Sequence, residues 1–135
     1  FLDRLKAFTD FLSICSIAPS AILALIALNH SDHFSLPNLQ KIKENIDLFR
    51  QFAVSQPIIA SFNAPRAGST AFVRLNIPIS ALEFSNRLVE KTGIMTVPAE
   101  MFDCTQSYIR VGFGRANFPE VLEILGMALK TFDFK

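Results

Sequence analysis

Arg110 is the residue of this sequence most suited to binding a small ligand, because it interrupts a β-branched and aromatic run, YIRVGF at residues 108–113. A guanidinium presents a planar fork of N–H donors that matches the two oxygens of a carboxylate. Gly112 lies two positions further on, and therefore on the same face of a strand, where it leaves space. No acidic residue follows Arg110 within five positions. The pattern leaves two interpretations: an edge-strand arginine that points into water, which the usual exposure of arginine favours, and an arginine that binds a carboxylate.

The two histidines of the sequence, His30 and His33, stand close together in the polar run HSDH. Structural zinc is bound by four ligands and catalytic zinc by three protein ligands. The cysteines, Cys15 and Cys104, are far from this run in the sequence, and the run itself is predicted to be a loop. We therefore interpret the histidines as part of a solvated loop and predict no metal site.

The remaining reactive residues do not form a catalytic pattern. Cys104 has no histidine near it in the sequence that could activate the thiol, so we interpret it as a packing residue or as a thiol without a specific role. Gly112 and Gly114 begin like a dinucleotide-binding fingerprint, but Asn117 stands at the third glycine position and no long βαβ unit follows. The six lysines lie in charged contexts typical of the surface, so none is predicted to form a Schiff base.

The composition limits both the size class of the protein and its partners. The 135 residues are 50% hydrophobic and 19% charged, which supplies enough apolar material for one packed domain. The formal net charge is +1, so the sequence lacks the excess of basic residues that is typical of proteins that bind nucleic acid or anionic membranes. Two cysteines are too few for a disulfide framework, and they favour a cytoplasmic protein with reduced thiols.

The most apolar stretch covers residues 11–28 and could suggest a membrane segment. Serines and a proline interrupt it, and its continuous part, AILALIAL, has eight residues. A membrane-spanning helix needs about 20 consecutive apolar residues, so we predict a buried helix instead. The chain starts at Phe1, inside an amphipathic pattern, and we interpret it as part of a longer protein.

Apolar spacing predicts three helices in the first part of the chain. Residues 2–12 have helical spacing, and a second helix is predicted from a Ser20 cap to about Leu28. This second helix is apolar nearly all round, so we expect it to be buried on most sides. Residues 29–35 are predicted to be a loop and a domain boundary. A third helix of roughly 17 residues is predicted to start near Pro37.

The later part of the chain combines strands with two helices. A hairpin is predicted from residues 58–62 and 71–77, around a turn rich in proline and glycine. Short strands are predicted at residues 94–97 and 108–113. This order predicts an α+β two-layer fold, in which the helices cover one face of a small and mainly antiparallel sheet.

The two later helices have clear start and stop signals. Ser80 and Glu83 form a capping box, and Gly93 is suited to end the helix that follows. The expected buried side of this helix is formed by Leu82, Leu88 and Val89. The last helix is predicted to begin near Asn117, and its packing stripe comprises Val121, Leu122, Leu125, Ala128 and Leu129.

Five segments of the sequence, in a fixed order, match a known pattern. They are SIAPS at residues 16–20, the helix around Asn45 and Phe49, AGSTAF at residues 67–72, GIMTVPAEMF at residues 93–102, and YIRVGFGR at residues 108–115. Together they resemble the C-terminal part of class I/II aminotransferases, which are pyridoxal 5'-phosphate (PLP) enzymes of fold type I. The chain departs from the family at Ala99, where a glycine is usual, and at Ala21, where a polar residue is common.

The resemblance implies a division of the chain and a role for one residue. Residues 1–34 would be helices from the edge of the large, cofactor-binding domain, and residues 35–135 would be a connecting helix and the small domain. Arg110 occupies the position of the family arginine that forms a two-pronged salt bridge with the α-carboxylate of the substrate. The Schiff-base lysine and the residues that hold PLP are expected upstream of residue 1. The fragment alone is therefore predicted to bind no PLP and to be inactive.

The activity that the resemblance implies belongs to the whole protein. It is the transfer of an amino group between an amino acid and a 2-oxo acid, with PLP as cofactor and with a homodimer or higher assembly. A PLP-dependent decarboxylase or lyase of the same fold remains an alternative, because the groups that distinguish them would lie upstream. A stand-alone α+β binding or regulatory module without catalysis is a further alternative. No nucleic acid or membrane partner is expected.

Overall fold

The computed structural model describes residues 1–13 and 17–132 of the chain. These residues form two compact units, Phe1–Pro37 and Asn38–Lys135. Cys15, and with it part of the SIAPS segment, lies outside the described residues. No helix within the described ranges combines the length and the apolar character that crossing a bilayer would require.

The first unit contains helix α1, Leu2–Leu12, and helix α2, Ala18–Asn29. The bounds predicted for α1 are confirmed. Helix α2 begins earlier than predicted, because Ile17 is its N-cap and Pro19 lies in its first turn, where a missing N–H is tolerated. The predicted burial of α2 is wrong for this chain, in which Ile22 is 58% exposed and no residue of the helix is buried.

Helix α3 spans Ser31–Ser55 and is 25 residues long. The prediction of a loop at residues 29–35 is therefore wrong, as is the shorter helix. Asp32 lies in the first turn, where its negative charge interacts favourably with the positive end of the helix dipole. This interaction stabilises a helix start that is made of polar residues. Pro37 lies inside the helix rather than at its start, so it removes one backbone donor without ending the helix.

The second unit is built on a four-stranded antiparallel sheet. Its strands are β1, Ile59–Phe62; β2, Thr70–Leu75; β3, Val97–Pro98; and β4, Tyr108–Gly112. They lie in the order β1-β2-β4-β3, and each neighbouring pair is antiparallel. The predicted hairpin is confirmed as β1 and β2, whereas the strand predicted at residues 94–97 is reduced to β3.

One face of this sheet packs against helices α3, α4 (Ala81–Thr92) and α5 (Phe118–Lys130). Val73, Leu75 and Ile109 point to the helices and are buried, while the alternate residues Phe72 and Arg110 are exposed. The predicted α+β two-layer fold is confirmed. We call the face that carries Phe72 and Arg110 the outer face.

Phe49 on α3 lies at the centre of the helix-covered core. It is 2% exposed, and its ring centroid is 4.8 Å from that of Phe62 and 5.7 Å from that of Phe113. Both contacts have edge-to-face geometry, which aromatic rings prefer. Phe118 at the start of α5 joins the same cluster, at 5.6 Å from Phe113. Helices α3 and α5 and the end of β4 are thus held together by aromatic packing.

The helix signals in this unit are partly confirmed. Ser80 Oγ accepts a hydrogen bond from the Glu83 amide at 3.1 Å, and Gly93 ends α4 in the left-handed region at φ 74°. The predicted buried side of α4 is wrong at Leu82 and Val89, which are 39% and 40% exposed. The buried stripe instead has the i, i+3, i+4, i+7 spacing of one helix face and consists of Ala81, Phe84, Ser85 and Leu88.

Candidate substrate-binding face

Arg110 lies on β4, which is an inner strand of the sheet. It is paired with Phe72 on β2 and with Val97 on β3. The edge position predicted in the alternative for Arg110 is therefore wrong, because a strand runs on either side of β4, but the exposure predicted there is confirmed. Its backbone is fixed by two ladders, while its side chain projects from the outer face and is exposed. A rigid backbone with an accessible guanidinium is suited to ligand binding.

The guanidinium of Arg110 lies against an aromatic ring. Its Cζ atom is 5.4 Å from the ring centroid of Phe102, and this ring packs edge-on against Phe72 at 5.3 Å. A cation over an aromatic face is attracted by the negative charge of the ring face. The two phenylalanines therefore support one side of the guanidinium and leave its N–H groups available for another partner.

No carboxylate among the described residues forms a salt bridge with Arg110. The ion pairs in the described ranges join Arg50 with Asp47 on α3 and Arg87 with Glu83 on α4. Both pairs lie within single helices, on elements that cover the opposite face of the sheet. Arg110 thus presents a positive charge that the described chain does not neutralise by a direct ion pair.

Gly112 lies beside Arg110 on the outer face, where it is paired with Thr70. A Cβ atom at Gly112 would have Thr70 Cγ2 as its nearest neighbour at 4.0 Å, which is ordinary van der Waals contact. The space predicted beside Arg110 is therefore present. It would also accept a small side chain.

A pocket with a volume of ≈ 360 Å³ opens on the same face. Its walls are apolar and are formed by Phe72, Ala99, Phe102, Cys104 and Tyr108. Two of these residues, Phe72 and Phe102, also support the guanidinium of Arg110. The face thus combines a free cation with an adjacent apolar cavity, and we call this cavity the outer pocket.

A short 3-10 helix, Ala99–Phe102, carries Phe102 into this position. Glu100 Oε1 accepts a hydrogen bond from the Leu82 amide at 3.2 Å, which ties the 3-10 helix to the start of α4. Asp103 ends it with φ 56°, in the left-handed region. The sequence analysis predicted no helix after Pro98. The 3-10 helix itself was missed, because a single helical turn has no periodic pattern to detect.

Asn45 on α3 is a positioning residue that the motif analysis did not assign a role. It is 4% exposed, and its Nδ2 donates hydrogen bonds to the carbonyls of Phe113 at 2.8 Å and Arg115 at 2.9 Å. These bonds fasten the segment after β4 to α3. The available signal was a polar residue beside the apolar stripe of α3, since a buried amide almost always has hydrogen-bond partners.

Replacing Asn45 with leucine is expected to lower the free energy of unfolding by about 1–3 kcal/mol, because two buried or partly buried carbonyls lose their donor. Urea unfolding of the purified chain measures this change. Asn86→Leu is the matched control, because Asn86 is exposed on α4. Equal stability of the two variants would contradict the positioning role of Asn45.

The other candidates from the sequence are not brought to the outer face. His30 follows α2 and His33 lies in α3, with stacked rings whose centroids are 6.2 Å apart. The loop predicted for His33 is therefore wrong. In the ranges that the structure describes, no group of three or more potential metal ligands is present. Cys104 is partly exposed in the outer pocket rather than simply packed in the core.

The described lysines of the second unit lie away from Arg110. In the second unit, Lys41 and Lys43 lie on α3, Lys91 lies on α4 and Lys130 lies on α5. All three helices cover the face of the sheet opposite to Arg110, so none of these amines accompanies the free guanidinium. Lys91 Nζ is also engaged by Thr131, at 2.8 Å from its carbonyl oxygen. No step of cofactor chemistry is assigned to these residues.

Comparison with known proteins places this geometry in a structural class. The chain matches the structure of a PLP-dependent aminotransferase from Streptococcus suis 89-1591 with a TM-score of 0.83 and 27% identity, over 98% of this chain and 36% of that one. It matches a PLP-dependent cyclase with a TM-score of 0.79 and 18% identity, over 93% of this chain and 35% of that one. The fold is that of PLP-dependent transferases.

The sequence comparison agrees with this class. The chain is 26% identical over 113 residues to capreomycidine synthase from Streptomyces vinaceus, which covers 83% of this chain and 28% of that protein. No family model matches the sequence. The chain spans about a third of the length of these relatives. The chain is similar in fold and in sequence to part of these proteins, and the aminotransferase among them agrees with the resemblance that the five sequence motifs indicated.

Proposed function

We propose that this chain is the small-domain part of a fold-type-I, PLP-dependent aminotransferase, and that Arg110 binds the α-carboxylate of its amino acid and 2-oxo acid substrates. The observation that carries the proposal is the guanidinium of Arg110, which is exposed on the outer face with no carboxylate partner among the described residues. The likeness in fold and sequence to a PLP-dependent aminotransferase supports it.

Arg110 contributes both charge and orientation to substrate binding. Its parallel N–H donors bind the two oxygens of a carboxylate, which fixes the direction of the Cα atom as well as its position. The ladders to Phe72 and Val97 hold the Arg110 backbone, and the ring of Phe102 restricts the guanidinium. Because these supports exist before the substrate binds, less side-chain freedom is lost on binding.

The remaining functions are assigned to other parts of the protein. PLP supplies the electron sink for amino-group transfer when it is bound, and we propose that the Schiff-base lysine and the PLP-holding residues lie outside these 135 residues. Residues 1–34 would then belong to the large domain and residues 35–135 to the connecting helix and small domain. The isolated fragment would be inactive. We further propose a cytoplasmic homodimer or higher assembly, in which protein covers the exposed apolar side chains of α1 and α2.

The comparisons also support a second candidate function, a PLP-dependent reaction other than amino-group transfer. One solved relative is a PLP-dependent cyclase and the curated relative is a synthase, so the fold is not restricted to aminotransferases by name. A carboxylate-binding arginine serves any reaction on a PLP-bound amino acid, including decarboxylation or elimination. The outer face therefore supports carboxylate binding directly and the type of reaction only through the relatives.

A product assay on the natural protein distinguishes these reactions. Incubation with PLP, an amino acid and a 2-oxo acid is expected to give the corresponding 2-oxo acid and amino acid in equal amounts, measured by chromatography. Release of carbon dioxide would indicate a decarboxylase, and a cyclic product without a new 2-oxo acid would indicate a cyclase. Either result would contradict amino-group transfer as the reaction. Absence of any product with PLP bound would favour a module without catalysis and would contradict the proposal.

A further inference from the structure

We infer that the outer pocket binds the side chain of the substrate, so that the site selects carboxylates with a bulky apolar or aromatic side chain. This inference rests on the proposed function, because it takes Arg110 as the anchor for the α-carboxylate. It adds the substrate class, which follows from the chemistry of the cavity beside that anchor.

The outer pocket lies next to the guanidinium. Phe72 is directly opposite Arg110 in the β2–β4 ladder, and Phe102 lies 5.4 Å from the Arg110 Cζ atom. Both residues also line the pocket. A molecule whose carboxylate is bound by Arg110 therefore has this cavity as immediate neighbouring space on the outer face.

The size and the walls of the pocket define what it can accept. Its ≈ 360 Å³ is within the usual range for ligand pockets, about 300–1,000 Å³. The rings of Phe72, Phe102 and Tyr108 and the small side chains of Ala99 and Cys104 provide apolar walls. An apolar side chain gains free energy on leaving water for such walls, whereas a charged side chain would lose its hydration without a partner.

The backbone around the pocket is held in place before a ligand binds. The Cys104 amide donates to the Ala99 carbonyl at 3.2 Å, and the Asp103 amide donates to the Glu100 carbonyl at 3.3 Å. These bonds close the turn that carries Phe102. Because Ala99 and Cys104 have small side chains, this closed turn leaves open the space that larger residues would fill.

Arg74 defines the main competing substrate class. It lies on the outer face of β2 and is paired with Tyr108, so the same face carries a second exposed guanidinium. A second cation on this face would favour a substrate with a second carboxylate. Arg74 is not part of the pocket wall, so the geometry favours the apolar class, and dicarboxylates form the contrasting arm of the test.

The first test uses Cys104 as a reporter in the natural protein. Its alkylation by N-ethylmaleimide is followed by peptide mass spectrometry in the presence of saturating phenylalanine, alanine or aspartate. We expect phenylalanine to slow the alkylation of Cys104 by tenfold or more, and alanine and aspartate to slow it by less than twofold. Equal protection by aspartate and phenylalanine, or no protection by either, would overturn the inference.

The second test fills the pocket. The variant Cys104→Phe places a ring in the outer pocket. It is expected to lower the ratio of kcat/KM for phenylalanine to that for alanine by about tenfold or more, because the side chain of phenylalanine loses its binding space and that of alanine does not need it. The control Met101→Phe adds similar bulk at a neighbouring residue that is 68% exposed and outside the pocket wall, so this ratio should change less than twofold. An unchanged ratio in Cys104→Phe would overturn the inference.

The two proposals fail in different ways. If Arg110→Leu leaves kcat/KM unchanged for every amino acid, the proposed function fails at its anchor. If Arg110→Leu lowers kcat/KM for all of them while Cys104→Phe leaves the phenylalanine-to-alanine ratio unchanged, only the assignment of the outer pocket fails. The alkylation test needs no turnover and is carried out on the unaltered protein. It therefore tests the assignment of the outer pocket even if Cys104→Phe does not fold.

Discussion

Replacing Arg110 with leucine in the natural protein is expected to lower kcat/KM for the amino acid substrate by roughly 30-fold to several thousand-fold, which corresponds to about 2–5 kcal/mol. The reason is that the α-carboxylate would lose its paired N–H donors and its counter-charge on the outer face. Most of the change should be in KM for the amino acid, measured by steady-state kinetics. The affinity for PLP, measured by absorbance titration, should change much less.

Two further variants separate charge from geometry. Arg110→Lys keeps the positive charge and loses the planar fork, so it is expected to recover only part of the lost kcat/KM. Arg74→Leu removes an exposed arginine from the neighbouring strand of the same face and should have a much smaller effect. If Arg74→Leu were as damaging as Arg110→Leu, the general charge of the outer face, rather than one carboxylate-binding residue, would account for binding.

Replacing Phe49 with alanine is expected to lower the free energy of unfolding by about 3–5 kcal/mol, the usual range for a buried phenylalanine. Phe49 is 2% exposed and contacts the rings of Phe52, Phe62, Phe113 and Phe118. Its removal leaves a cavity at the point where α3, α5 and the segment after β4 meet. The change is measured by equilibrium unfolding in urea, with the transition followed by far-UV circular dichroism.

Phe1→Ala is the matched control for Phe49→Ala, because it makes the same chemical change at a side chain that is 95% exposed. It should alter the unfolding free energy by less than about 0.5 kcal/mol, the usual limit for surface substitutions. A loss of similar size in both variants would mean that the aromatic cluster does not stabilise the second unit more than an exposed ring does.

The errors of the sequence-based prediction share a physical origin. Pro37 is typical of the first turn of a helix, so the polar residues before it were predicted to be a loop. Local preferences of this kind are weak, and α3 in fact begins at Ser31 and continues through Pro37. The buried side of α4 was misplaced at Leu82 and Val89, because several helix faces carried apolar residues. Which of these faces is covered depends on the position of the sheet, and that is not a local property.

The amino-acid sequence by itself determined those features of the protein that depend on short-range chemistry. The helix α1, the β1–β2 hairpin, the Ser80 and Gly93 caps and the placement of Arg110 on a strand all follow from periodicity and turn residues within a few positions. The five ordered motifs also sufficed to indicate a PLP-dependent transferase fold.

Only the tertiary structure decided what surrounds Arg110. It made β4 an inner strand, brought Phe72 and Phe102 beside the guanidinium, and left that guanidinium without a carboxylate from the described chain. It also created the outer pocket and joined Asn45 to the carbonyls of Phe113 and Arg115. These contacts join residues from distant parts of the chain, and their geometry is set by how sheet and helices pack, which no local pattern of residues encodes.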